Sequence, residues 1–242
     1  MAETGHAKNV ANFETVVIIL VGLGAIYNPS QALIMLAALQ TVLTAAKAAI
    51  LAVKAAEAAE TTAISERAAE FKGIGKLAVS AKMAAEVDVN DEQFTANLAA
   101  ITRKFYGGRA GDKLVDDPST PDIDESLGAH SVSQRSYDSL ISHFVSLIEL
   151  LKTRPEYNTT DEPVKIATLE AKLARMQAKN NAAIAATAAL GNATDARDEI
   201  LYNPETGILK LVLLIKKQLA RIPGKNSAAY QQVNALEFRR VK

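Results

Sequence analysis

Residues 33–71 read LIMLAALQTVLTAAKAAILAVKAAEAAETTAISERAAEF, and residues 163–201 read PVKIATLEAKLARMQAKNNAAIAATAALGNATDARDEIL. Set side by side without gaps, the two stretches keep one apolar phase. Leu36 aligns with Ile166, Leu39 with Leu169, Leu43 with Leu173, Ala46 with Met176 and Val53 with Ala183. Steps of three and four residues put these side chains on one helical face that packs against other helices. Ala, the best helix former, fills much of the rest. The pair therefore predicts two long helices, B and B′, each the spine of one copy of a duplicated helical unit. At about 1.5 Å per residue each would run roughly 60 Å. Thr61-Thr62 and Gly191-Asn192 fall at equivalent places where a helix could kink or break; a continuous helix is expected through both.

Working outward, helix A is expected over residues 12–26, with Asn12 as its N-cap. It is apolar almost all round (Val16, Val17, Ile18, Ile19, Leu20, Val21, Leu23) and so needs cover on more than one side. Its counterpart A′, residues 136–153, is amphipathic. The first copy's missing polar face points to burial against the second half or against another molecule. It singles out Val16, Ile18, Ile19, Leu20 and Leu23 as a candidate assembly surface.

Each A helix leads into a turn that carries a Tyr-Asn pair, Tyr27-Asn28-Pro29 and Tyr157-Asn158-Thr159. Ser30 and Asp161 are candidate caps for the B helices. Helix C is expected at 74–86 and 207–221, and helix D at 92–104 and 227–238, with Pro223-Gly224 marking the turn before the last helix. Residues 107–130, rich in Gly, Pro and Asp, read as a linker. The fold class is all-α: two tandem copies of an antiparallel helical-bundle module, residues 1–106 and 131–242, each built on one long helix.

The chemistry that remains is sparse. Among 242 residues there are 27 basic and 27 acidic side chains, and neither cysteine nor tryptophan. Net neutrality leaves no electrostatic footprint for nucleic acid. Without cysteine there is no disulfide, thiolate metal site or Cys nucleophile. His6, His130 and His143 stand at no metal-ligand spacing, and no cofactor is expected. The acidic linker side chains, from Asp112 to Glu125, do not match a calcium loop. No P-loop, dinucleotide fingerprint or nucleophile elbow occurs, so no small-molecule substrate is evident and an enzyme is not expected. Arg67 and Arg197 fall on the apolar phase near the ends of the B helices, with Glu66 and Asp195 nearby. They are candidate structural ion pairs, since buried guanidinium groups are normally paired. The start of the chain lacks the basic region of a secretory signal. The apolar run 16–26 is shorter than the roughly 20 residues that span a bilayer. The compartment is not readable from the sequence.

The second half carries the more distinctive wording: SVSQRSYDSLISHFVSLIELL (131–151), PEYN (155–158), ATLEAKL (167–173), and YQQV (230–233) before LEFRR (236–240). In this order of segments the chain resembles a set of tandem-repeat helical proteins from Bacteroidota-type bacteria. That resemblance covers most of residues 131–240 and the first half more faintly. It implies no activity, cofactor or site residue.

The function expected from these features is structural and non-enzymatic: a subunit that assembles with itself into a filament, sheath or scaffold. Two copies of one module give similar, non-identical surfaces suited to head-to-tail contacts. The alternatives are a membrane-active pore-forming protein that inserts residues 16–53, and an intracellular helical adaptor. Membrane partnership is the less expected, because Lys47, Lys54, Glu57 and Glu60 interrupt the second arm.

Overall fold

The computed structural model describes residues 3–107 and 135–241; nearly all of the expected linker lies outside them. The protein is all-α, and no strand occurs among the described residues. The helices are α1 (Glu3–Leu23), α2 (Leu36–Phe71), α3 (Ile74–Asp88), α4 (Glu92–Tyr106), α5 (Tyr137–Lys152), α6 (Ile166–Tyr202), α7 (Ile208–Leu219) and α8 (Ala228–Ala235). The B helices are α2 and α6, and both run unbroken through Thr61 and Gly191. Each follows a single 3-10 turn, Ala32–Ile34 or Glu162–Val164, so Pro163 lies in that turn and not in the long helix.

The largest boundary shifts are at the start of the first helix and the end of the last. Helix A begins at Glu3, not at residue 12. Asn12 therefore lies inside α1, where its side chain donates to the Glu237 carbonyl at 2.7 Å instead of capping. The last helix stops at Ala235, and residues 236–241 continue without helical structure. Side-chain caps fix other starts. Asp91 accepts from Phe94 N at 2.9 Å, Ser136 from Ser139 N at 3.1 Å and Ser227 from Tyr230 N at 3.2 Å.

The chain forms two compact units: residues 1–61 with 185–242, and residues 62–184. They do not coincide with 1–106 and 131–242, and the reason is helix length. A helix of 36 residues extends about 54 Å, while the 15-residue α3 covers only about 22 Å. α1 leads into the start of α2 and α3 follows its end, so α1 and α3 fall in different units. One unit holds α1, the first part of α2, the end of α6, α7 and α8; the other holds the end of α2, α3, α4, α5 and the first part of α6.

In the first unit α1 packs on α8, α8 on α7, and α7 on the Ala32–Ile34 turn. Its core gathers Phe13, Val16 and Leu20 of α1, Leu39 and Ala46 of α2, Leu201 of α6, and Leu211, Ile215 and Leu219 of α7. In the second unit α5 packs on α4, α4 on α3, and α3 on the Glu162–Val164 turn. Its core gathers Phe144, Leu147 and Leu151 of α5, Leu169 and Met176 of α6, Phe71 of α2, Ala78, Ala81 and Ala85 of α3, and Phe94, Leu98 and Phe105 of α4.

The two cores trade volume between helices. In the second unit helix C is slim and helix D supplies the bulk, with Phe105 meeting Phe144 edge-on at 6.4 Å. In the first unit helix C carries Leu, Val and Ile, and helix D buries only Val233. Native cores are filled to near-crystalline density, so volume absent from one helix has to come from its neighbours.

Candidate interaction surface

Helix α1 has two different sides. His6, Asn9, Phe13, Val16 and Leu20 follow one another at steps of three and four and are all buried. The seam of the A helix thus continues back through a histidine and an asparagine. The other side presents Lys8, Ala11, Thr15, Ile18 and Gly22 at the same period, all exposed. Ile18 is 63 % exposed and Val21 49 %, and the turn that follows leaves Ile26 at 56 %. On α2, in the same unit, Leu51 is 66 % exposed.

Of the five residues expected to form an assembly surface, only Ile18 faces solvent. Val16 and Leu20 belong to the unit's own core, and Ile19 and Leu23 pack partly buried against it. The correction has a simple cause. A helix apolar all round does not reveal which side its own core claims, and here the core claims the side in phase with Phe13. The outward apolar set is Ile18, Val21 and Ile26.

Between α1 and α2 lies an open groove of about 320 Å³, lined by Ala7, Val10, Ala11, Glu14, Lys47, Ile50 and Leu51. Lys47 pairs with Glu14 at 2.5 Å beside it. Both partners are well exposed, so the pair adds little stability. By length and composition Gly5–Ile26 and a stretch within Leu36–Asp88 could cross a membrane, each with a mean hydropathy of 1.8. This overturns the expectation of too short a run, because α1 starts before residue 12. The core helices of globular units reach the same values.

A second constellation occupies the buried polar end of α1. Asn9 donates from Nδ2 to the Arg239 carbonyl at 2.7 Å and accepts the Arg239 N–H on Oδ1 at 3.2 Å. Asn12 holds the Glu237 carbonyl, and Lys216 Nζ reaches the carbonyls of Asn234 and Leu236 at 3.2 and 3.3 Å. The Tyr202 oxygen accepts from Asn9 Nδ2 at 3.3 Å and from the Val241 N–H at 3.5 Å. With those donors on its oxygen, the hydroxyl proton points to His6 Nδ1, 2.7 Å away. This arrangement suits a neutral His6 ring whose Nδ1 accepts. Burial lowers its pKa from 6.5, opposed by the charge of Asp198. Residues 236–241 form a strap pinned along α1. His6 and Asn9 lie ahead of the expected start of helix A at residue 12; the missed signal was two polar residues in phase with Phe13.

The turns after the A helices repeat one device. The Tyr27 hydroxyl donates to the Ile34 carbonyl at 2.7 Å, and Tyr157 to Val164 at 2.6 Å. Both phenols are pushed up to about 12, Tyr27 by burial and Tyr157 by burial with Asp88 and Asp161 adding to it.

The two candidate arginines differ. Arg197 is buried and pairs with Asp198 at 2.7 Å, not with Asp195. Arg67 stacks on the Tyr137 ring at 4.1 Å and donates to Asn180 Oδ1 at 3.4 Å, while Glu66 pairs with Lys179. Its contacts are a ring and an amide where a carboxylate was expected. Asn180 in turn donates to Asp138 at 2.7 Å. His143 is buried against Phe105, and His130 lies outside the described residues.

Among the described residues no three His, Cys, Asp or Glu side chains are grouped to hold a metal ion. A cleft of about 520 Å³ beside Met83, Asp88 and Thr159 is open to solvent. In comparison with known proteins, no family model, no curated protein and no solved structure matches the chain.

Proposed function

We propose that this protein is a non-enzymatic structural subunit that assembles with itself into a filament, sheath or scaffold. The contact in this reading is the outward side of α1 in the first unit. The observation that carries it is the exposure of Ile18, Val21 and Ile26 along one helix and its following turn. Contiguous apolar surface on a soluble domain marks an interaction site. A second copy is the favoured occupant. Equal numbers of basic and acidic side chains remove the self-repulsion that would oppose dense packing. Negative-stain imaging of the purified protein over a range of concentration and salt tests it. Regular multi-copy particles are expected; dispersed single copies under every condition reject the proposal.

The hydropathy of Gly5–Ile26, of which only a third is buried, favours a second reading as a membrane-active protein. Against it, α2 exposes Lys47, Lys54 and Glu57 on the arm that hydrocarbon would have to receive. Dye release from liposomes is the outcome this second reading requires.

A further inference from the structure

The strap site reads main chain. Every bond that Asn9 and Asn12 make to residues 237 and 239 goes to a backbone atom, and the side chains of Glu237, Arg239 and Arg240 stay exposed. Leu236 and Phe238 turn partly inward against the unit's core. Gly5 completes the site. A Cβ there would lie 2.7 Å from Val241 Cγ2, so glycine lets that methyl sit against α1, and a larger residue would require the Val241 side chain to shift. Asn9 and His6, the polar groups that build the site, are 3 % and 2 % exposed.

We propose that this site also accepts residues 236–241 of a second copy, so that neighbouring subunits exchange straps. The proposal rests on the self-assembly reading and supplies its linkage. Its bonds are the same whichever chain provides the strap, so exchange loses none of them and needs only proximity. The strap follows α8 and can leave α1 without undoing a helix–helix contact among the described residues. Six residues reach about 20 Å at full extension. Exchange therefore requires the end of one copy's α8 to lie near another copy's α1, the helix whose outward side is apolar.

The chain has no cysteine, so a thiol pair can report on this directly. A Cβ at Gly5 would stand 3.7 Å from Val241 Cβ, within the range of a disulfide. The doubly substituted G5C/V241C chain shows that the strap is seated by oxidising to a closed form. The test mixes a Gly5→Cys chain with a Val241→Cys chain of different tag length, oxidises them mildly and reads a non-reducing gel. Exchange predicts a heterodimer band several-fold stronger than either homodimer band, and its loss when excess unsubstituted chain is added. Closure of the double variant within single chains, with no heterodimer from the mixture, overturns the proposal. If substitution at Gly5 spoils folding, a dye-labelled peptide of residues 234–241 is titrated against the unsubstituted chain. Saturable anisotropy supports exchange and a flat titration overturns it. Sedimentation of the unsubstituted chain separates the two ideas. Assemblies without heterodimer end the exchange alone, whereas single copies throughout end the reading beneath it.

Discussion

Asn9 and Arg239 hold each other by two hydrogen bonds, the amide donating to the carbonyl at 2.7 Å and the main-chain N–H donating back at 3.2 Å. One buried side chain thus does for the strap what a neighbouring strand would do in a sheet. Asn9→Ala removes both bonds and the donor to Tyr202. The expected loss is about 1–3 kcal/mol in the first unit, the cost of leaving partly buried main-chain groups unpaired. Amide hydrogen exchange checks it. Protection of Arg239 and Val241 should fall, while that of α4 in the second unit stays unchanged.

His6 makes the same contact sensitive to pH. Its pKa in the fold is below 6.5, so over that interval the unfolded chain binds the extra proton and stability rises with pH. The contribution is complete above 6.5 and is lost as pH falls below it. A proton on Nδ1 would also face a Tyr202 hydroxyl whose oxygen already accepts from Asn9 and Val241. The charge that acts on the ring is that of Asp198 on α6; Lys8, Glu237 and Arg239 line the cleft beside Gly5 and Asn9, and Arg240 lies over the Tyr202 ring at 5.8 Å. Thermal melts at pH 8 and pH 5.5 should show a larger drop for the natural chain than for His6→Gln.

Tyr27 and Tyr157 lock equivalent turns in different units, each by donating to a buried carbonyl. Tyr27→Phe and Tyr157→Phe should each cost about 1–3 kcal/mol. With no shared partner, the double variant should lose close to the sum in urea unfolding. Both phenols ionise at about 12 in the fold against 10 for the free side chain, so they hold their protons longer when folded. Their contribution is complete below pH 10 and is lost as pH rises toward 12. Alkaline melts of the two phenylalanine variants should be correspondingly flatter.

Periodicity made the spines legible. Leu39 and Leu169 are both fully buried, and Ala46 and Met176 keep the phase despite their different volumes. Helix continuity past Gly191 followed from the same pattern. The pairing of helices into units was not legible, because it depends on where chain connections meet a helix too long for one core. The trade of volume between Ala78, Ala81 and Ala85 on one side and Val212, Ile215 and Leu219 on the other is visible only once those partners are known. The candidate surface was half legible. Hydropathy selected α1 but could not separate Ile18 from Val16, since both are apolar and only position relative to Phe13 distinguishes them. The strap site escaped because helix A was expected to start at residue 12, ahead of which His6 and Asn9 carry no phase, and their partners lie 193 to 230 residues further along.

The measurement that bears most directly on self-assembly is sedimentation velocity of the natural chain across a wide concentration range, beside Ile18→Asp. Ile18 makes no part of the core, so the substitution should leave the fold intact while placing a charge in the apolar contact. The natural chain should sediment faster as concentration rises, and Ile18→Asp should remain a single copy. A natural chain that sediments as one copy at every concentration would contradict the proposal.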